Sequence, residues 1–318
     1  MSLLSFTYAI ELGIIFAILS LGVYISYRIL DIADLTVDGS FVTGAAVSAV
    51  YAYNGNPYLG IFMGIISGAL AGLLTALLHT KLKITALLSG ILTQLALYSI
   101  NLRIMGKPNI PLMDSVTTFT PIKKLEEWIK GLFPESMSDF ARTLTMFTKG
   151  LFLLIFLALV IALLYWFLIT RMGTAMRATG NNINMVRALG VNSDLMKIVG
   201  LMLSNALVAL AGAIYAQHQG FADANMGIGM IVTGLASVII GEVLLPSKKL
   251  LGSLISVAVG ATIYRLIIAI AIELGMPSSD LRLVSSAIVA LSLSVPLIKN
   301  LFTKYSGSKR GGVKNAKN

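Results

Sequence analysis

Long apolar runs with short polar punctuation set the rhythm of this chain. Nine runs are long enough, or nearly so, to cross the hydrocarbon core of a bilayer, which takes roughly 20 helical residues. They cover about 8–27, 41–53, 58–79, 85–104, 150–170, 198–217, 227–245, 250–272 and 283–298. The second is too short to cross alone and is expected to begin inside the polar stretch before it, as a broken helix does. No cleaved signal peptide is expected at the amino terminus, because nothing basic precedes the first apolar run and no small-residue site closes it. The one long hydrophilic excursion, 105–149, contains Ile122, Leu125, Ile129 and Leu132 at helical spacing, with Lys123, Lys124, Glu126, Glu127 and Lys130 turned elsewhere. That pattern predicts an amphipathic helix in the outer interface, anchored by Trp128. It reads either as a cap over the bundle or as a gate or docking surface for an external partner.

Two internal patterns refine this scheme. Gly60, Gly64, Gly68 and Gly72 fall at four-residue spacing on the third span, a small-residue stripe that lets helix backbones approach closely, within a bundle or against a second subunit. Phe41-Val-Thr-Gly-Ala-Ala-Val-Ser-Ala-Val50 echoes Ile231-Val-Thr-Gly-Leu-Ala-Ser-Val-Ile-Ile240, and each copy follows a polar interruption. In the span scheme the copies run in opposite directions, as in an inverted-repeat transporter. The expected fold is therefore all-α: a polytopic transmembrane bundle of about nine spans with an inverted repeat and broken helices. The permease domain would occupy 1–298, with an external insertion at about 105–149 and a cytoplasmic loop at about 171–197. A basic cytoplasmic tail would fill 299–318.

Composition agrees with a lipid setting: 57% of the 318 residues are apolar and 12% charged, against about 25% charged in an average soluble domain. With no cysteine and only two histidines, disulfides, thiol catalysis and multi-histidine metal cages drop out. The net charge of +10 is unevenly distributed. With the amino terminus outside, fifteen of the 24 Lys and Arg fall on the inner side, and the short outer connections 54–57 and 218–226 have none. The positive-inside rule thus places the amino terminus outside and the carboxyl terminus in the cytoplasm.

No phosphate-cradling loop of the Gly-x-x-x-x-Gly-Lys-Ser/Thr type occurs, nor a nucleophile elbow or zinc-protease helix. The chain is not expected to be an enzyme, to hold a cofactor or metal, or to bind nucleic acid. His79 and His218 read as interfacial polar residues rather than ligands. Charged groups at membrane depth are costly and point to a pathway or an internal partner; Glu11, Asp34, Asp38, Glu242, Arg265 and Glu273 are the candidates. Arg265 and Glu273 could share one face without touching, while Glu11 and Glu242 fit positions near the interfaces. Asp34, Thr36, Asp38, Ser40 and Thr43 interrupt apolar sequence where unpaired backbone must face protein or water. Together with Gln94, Asn101 and Asn205 they are the translocation-path candidates. Ser89, Tyr98 and Ser204 either line the same cavity or bond between helices.

In the inner connection, Met185, Val186 and Leu189 make an apolar stripe, with Asn181 or Asn182 as N-cap and Gly190 as terminator. This segment resembles the cytoplasmic loop of permease subunits of bacterial ABC importers in the branched-chain amino acid and ribose permease family, through Gly173, Arg177-Ala178, Gly180, Asn181 and Leu189-Gly190. Ala209-Leu-Ala-Gly-Ala-Ile-Tyr215 followed by Gly220, and Leu35-Thr-Val-Asp-Gly-Ser-Phe-Val-Thr-Gly-Ala-Ala46, look like two further hallmarks. The resemblance covers about 22–296. Asp38-Gly39-Ser40 departs from the branched-chain pattern and looks closer to the branch linked to aromatic amino acid uptake.

The resemblance implies a bacterial inner (plasma) membrane permease subunit working by alternating access and driven by ATP hydrolysis on a partner subunit. It implies a cytoplasmic ATP-binding subunit, an extracytoplasmic solute-binding protein, and a homodimer of permease chains in membrane lipid. Gly173, Arg177, Gly180, Asn181, Met185, Arg187, Leu189 and Gly190 would couple the chain to the ATPase. Amino acids are the expected substrate class. A permease for sugar or nucleoside, and an ion- or proton-coupled secondary transporter using Asp34, Asp38 or Arg265, are the alternatives.

Overall fold

The computed structural model describes residues 3–113, 115–132, 138–277, 280, 283, 285–287 and 290. The first apolar run forms α1 (Leu3–Tyr24), which widens into a π-helical turn at Ile25–Ile29. The chain then breaks, with Asp31 at φ 55°, before α2 (Thr36–Tyr53). Gly55, at φ 83°, turns it into α3 (Pro57–Thr80), whose leading proline sits where its missing N–H costs nothing. After α4 (Ala86–Met105), Gly106 closes the helix in the left-handed conformation. Strand β1 (Asn109–Pro111) follows, then α5 (Thr120–Leu132) and α6 (Ser138–Ile169). Two short helices, α7 (Arg171–Asn181) and α8 (Ile183–Ala188), lead into α9 (Ser193–Gln219). Strand β2 (Phe221–Asp223) pairs antiparallel with β1, and α10 (Met230–Leu244) and α11 (Leu250–Glu273) follow.

Six helical stretches among the described residues are long and apolar enough to cross a membrane: Leu3–Ile29, Pro57–Thr80, Ala86–Met105, Phe147–Ile169, Ser193–Gln219 and Leu250–Glu273. This is fewer than the nine expected. Helix α2 is not one of the six, α10 has only 15 residues, and the expected run 283–298 falls almost wholly outside the described residues. The tail 299–318 lies outside them entirely. The fifth expected span also starts earlier: α6 reaches back to Ser138, because the basic residues around 142–149 extend a helix rather than end a loop.

Helix α1 is the centre of the bundle, with 89% of its apolar window buried, against 28% in α4 and in the apolar part of α6. It lies against α9, and these two long helices trade partners. Helix α1 packs on α10 and α11, which come late in the chain; α9 packs on α2 and α3, which come early. The matching Val-Thr-Gly steps mark the exchange. A side chain at Gly44 of α2 would meet the Ala209 backbone of α9, and one at Gly234 of α10 would meet Val23 and Leu19 of α1. In lipid, where apolar side chains gain little by leaving their solvent, such close backbone approach supplies the packing attraction.

The glycine stripe of α3 is used in the same way. Gly60 faces the Ser48 carbonyl, Gly64 faces Gly44 and Ala213, Gly68 faces Ala209 and Asn205, and Gly72 faces Leu201. The opposite face of α3 exposes Phe62, Leu70 and Leu74, and α6 exposes Leu151, Ile155, Leu159, Leu163 and Trp166. These are the surfaces that lipid or another chain must cover.

The 105–149 insertion is tied to the bundle by the β1–β2 pairing and by Gln217. The Gln217 amide of α9 accepts from the Thr118 N–H at 2.8 Å and its hydroxyl at 3.0 Å, and donates to Ser48 Oγ at 2.8 Å and the Pro57 carbonyl at 3.0 Å. Helix α5 lies along α6. Ile122 is buried, whereas Leu125 and Trp128 are exposed, so the apolar stripe read in the sequence is split between bundle and surroundings.

Candidate functional site

The polar residues of the chain break form an interlocked group. Asp34 is buried; its Oδ1 accepts the Thr36 N–H at 2.9 Å and its Oδ2 accepts from Asn205 Nδ2 at 2.6 Å. Asn205 also donates to the Leu201 carbonyl at 3.0 Å and accepts the Ser40 hydroxyl at 2.6 Å. The hydroxyls of Thr36 and Thr75 meet at 2.6 Å, which brings in α3. A carboxylate at this depth is tolerable because every bond compensates for lost water. Asp34, Thr36, Ser40 and Asn205 thus join α2, α3 and α9.

Asp38 does something different. Its carboxylate accepts the N–H groups of Gly229 at 3.0 Å and Ile231 at 2.8 Å. It therefore caps α10 from 191 residues away in sequence, placing negative charge at the positive end of the helix dipole. Asp38, Gln94, Tyr98 and Asn101 line a cavity of about 140 Å³ bounded by Gly227 and Ile228. Asn101 Nδ2 donates to the Gly39 carbonyl at 3.3 Å, while its Oδ1 is buried with no partner among the described residues. Thr43 spends its hydroxyl on the same Gly39 carbonyl, at 2.9 Å. At ~30 Å³ per water the cavity accommodates a few waters. The eight path candidates consequently divide into a packed network and a small cavity whose walls mix Asp38, Gln94 and Asn101 with Val42, Leu95 and Ile228, with Thr43 beside the boundary.

Near the start of α1 and the end of α9, Glu11 is buried and meets the largely covered side chain of His218 at 2.8 Å, with the Phe119 ring edge-on to the imidazole. The two residues are paired with each other although they are 207 positions apart, and nothing local announces the contact. Arg265 lies 3.4 Å from the Phe16 ring centroid, a cation–π contact, inside a cluster with Phe41 and Tyr215. Glu273 is exposed. At the opposite end of the bundle Arg28 pairs with Glu242 at 2.9 Å, and Lys197 contacts His79 at 3.1 Å.

The connection between α6 and α9 is built of caps. Thr170 accepts the Gly173 N–H at 3.2 Å at the start of α7; Asn182 accepts the Met185 N–H at 3.0 Å at the start of α8; Asn192 accepts the N–H groups of Asp194 and Leu195, both at 3.1 Å, at the start of α9. Of the two cap candidates, Asn182 fills the role, and Asn181 ends α7. Gly190 takes φ 77°. Gly173 presses on the Phe167 carbonyl and Gly180 on that of Ile29, so α7 seats directly on the π-helical turn that ends α1.

The apolar stripe of α8 is divided. Val186 is buried, while Met185 is 46% and Leu189 72% exposed. Arg187 turns back to the chain: its Nε donates to Ser193 Oγ at 2.9 Å and its guanidinium lies 3.7 Å from Asp194. Arg177 and Asn181 line a cavity shared with α1 and α11.

Comparison with known proteins gives one family model, described as branched-chain amino acid transport system / permease component, matching residues 5–293. A tyrosine transport system permease protein of Clostridioides difficile (strain R20291) is 41% identical over 298 residues, covering 93% of this chain and 92% of that protein. An uncharacterized protein of Rickettsia prowazekii (strain Madrid E) is 33% identical over 290 residues, covering 90% and 95%. The autoinducer 2 import system permease protein LsrC of Escherichia coli (strain K12 / DH10B) is 28% identical over 153 residues, covering 48% and 43%. No solved structure matches.

Proposed function

Because the chain belongs to the family of branched-chain amino acid transport system permease components, we propose that it forms the membrane path of an ABC importer for an aromatic amino acid. It is a multi-pass membrane permease, and amino acids are its substrate class. A separate cytoplasmic subunit hydrolyses ATP, and a solute-binding protein delivers the substrate from outside. Two copies of this chain frame the path. The full topology is nine crossings with the amino terminus outside and the carboxyl terminus inside, and the two halves are inverted repeats. The traded partners of α1 and α9, and the matching glycines at Gly44 and Gly234, support that symmetry. The aromatic assignment rests on likeness to the permease named for tyrosine.

One observation carries the mechanism: the exposed apolar pair Met185 and Leu189 on a short helix capped at both ends and seated on α1 through α7. An apolar pair in that setting suits a groove of a cytoplasmic partner. ATP-driven movement of the partner would reach the α1 break through Gly180 and Ile29, biasing an equilibrium between two packings of the bundle. Gly173 and Gly180 serve close approach, Asn181 and Gly190 shape the turns, and Arg187 positions α8 on α9.

The test is uptake of labelled tyrosine into vesicles holding this chain, its ATPase and its binding protein. Met185→Asp with Leu189→Asp is expected to lower uptake at least tenfold, the effect of about 1.4 kcal/mol lost at the contact, while the unfolding temperature of the purified chain stays unchanged. Normal uptake by that double variant would remove the coupling role. Uptake into vesicles lacking the ATPase, driven by an ion gradient alone, would replace the importer with a secondary transporter.

A further inference from the structure

The inner cavity has a volume of about 870 Å³ and lies between the inner end of α1, helix α7 and the start of α11. Its lining brings three cations, Arg28, Arg177 and Lys248, together with one acid, Asp31, and the aromatic rings of Tyr24 and Tyr27. The lining charge is 3 − 1 = +2, and Glu242, outside the lining, engages Arg28 at 2.9 Å, which leaves +1. Arg177 and Lys248 make no ion pair and no side-chain hydrogen bond among the described residues. Like charges gathered in a cleft repel unless an anion joins them. The planar guanidinium fork of an arginine and the point charge of a lysine are the usual partners of phosphate oxygens.

Location selects the source of that phosphate. Under the proposed topology, on which this inference rests, the cavity opens at the level of the inner leaflet's headgroups. Tyr27, 39% exposed beside Arg28, is an interfacial aromatic of the kind found at that depth. Basic pockets between transmembrane helices on this side accept lipid headgroups. We propose that the cavity binds the headgroup of an acidic phospholipid, its phosphate held between Arg177 and Lys248. A lipid with one net negative charge balances the remaining +1, and a zwitterionic lipid does not. The bound headgroup would bridge α1, α7 and α11, the elements that meet behind the coupling face, and so fix how α7 sits.

The experiment uses the full chain purified in detergent and mixed with equal amounts of phosphatidylglycerol and phosphatidylethanolamine, with retained lipid counted by native mass spectrometry. The wild type is expected to retain phosphatidylglycerol preferentially. Arg177→Gln and Lys248→Gln are each expected to lower that preference roughly fivefold, and Lys81→Gln, at an exposed lysine outside the cavity lining, is expected to leave it unchanged. A wild type without preference, or a Lys81→Gln loss equal to that of Lys248→Gln, overturns the proposal. Release of the lipid by millimolar inorganic phosphate would assign the cavity to a soluble phosphate and likewise overturn it. Uptake is not read here, so a negative result leaves the importer reading standing.

Discussion

Asn205 is the residue on which the polar interior turns. It donates to Asp34 and the Leu201 carbonyl and accepts from Ser40, so three partners depend on one amide. Hydrogen bonds between membrane helices average only about 0.6 kcal/mol, but bonds to charged groups contribute about 1.5–3 kcal/mol. Asn205→Ala is expected to cost about 2 kcal/mol, seen as a lower unfolding temperature in detergent; an unchanged temperature would mean that Asp34 is satisfied by Thr36 alone. Asp34, Ser40 and Asn205 stood out in the sequence as polar groups within apolar runs, and that much was legible. Their pairing was not, since Asp34 and Asn205 lie 171 residues apart. Asp38 was harder still: its partners are the backbone amides of Gly229 and Ile231, which carry no side-chain signature.

Among the elements, α8 shows how little sequence is needed to make a rigid face. Six residues cannot hold a helix by propagation alone, because nucleation is unfavourable; the Asn182 cap and the Arg187 tie to Ser193 supply what length does not. Asn182→Ala is expected to cost about 1 kcal/mol and to speed amide hydrogen exchange across 183–188 while α7 and α9 keep their protection. Equal exchange in both proteins would show that tertiary contacts hold α8 without its cap. Gly106, Gly190 and Gly220 each end a helix in the left-handed conformation, and of these the one at Gly190 was readable as a terminator. The start of α6 was not, because Arg142 and Lys149 resemble loop residues until the helix to which they belong is seen to emerge beyond the apolar zone Phe147–Ile169.

At the scale of the whole molecule, the traded partners of α1 and α9 bind the two halves of the chain into one body. Helix α1 of the first half and α9 of the second each pack on helices of the other half, so neither half has a closed interior by itself. Fragments 1–135 and 136–318 are expected to assemble when expressed together and to co-purify through a tag on one of them, whereas each alone fails to accumulate in folded form. Stable accumulation of either fragment alone would contradict that interdependence. The helical-bundle class was legible from apolar run lengths, and the matching Val-Thr-Gly steps hinted at two related halves. Which helix crosses over to which half depends on contacts that no local period encodes.

The same exchange sets a timetable for biosynthesis. Helix α1 leaves the ribosome first, yet α10 and α11, its lasting neighbours, are made only after most of the chain, between Met230 and Glu273. At translation rates of about 5–20 residues per second, that interval is roughly 10–50 seconds. Throughout it, the small-residue surface around Gly13, later occupied by Thr262, has only lipid or the insertion machinery to cover it. A helix that ends as the most enclosed in the bundle must therefore begin as a solitary guest of the membrane.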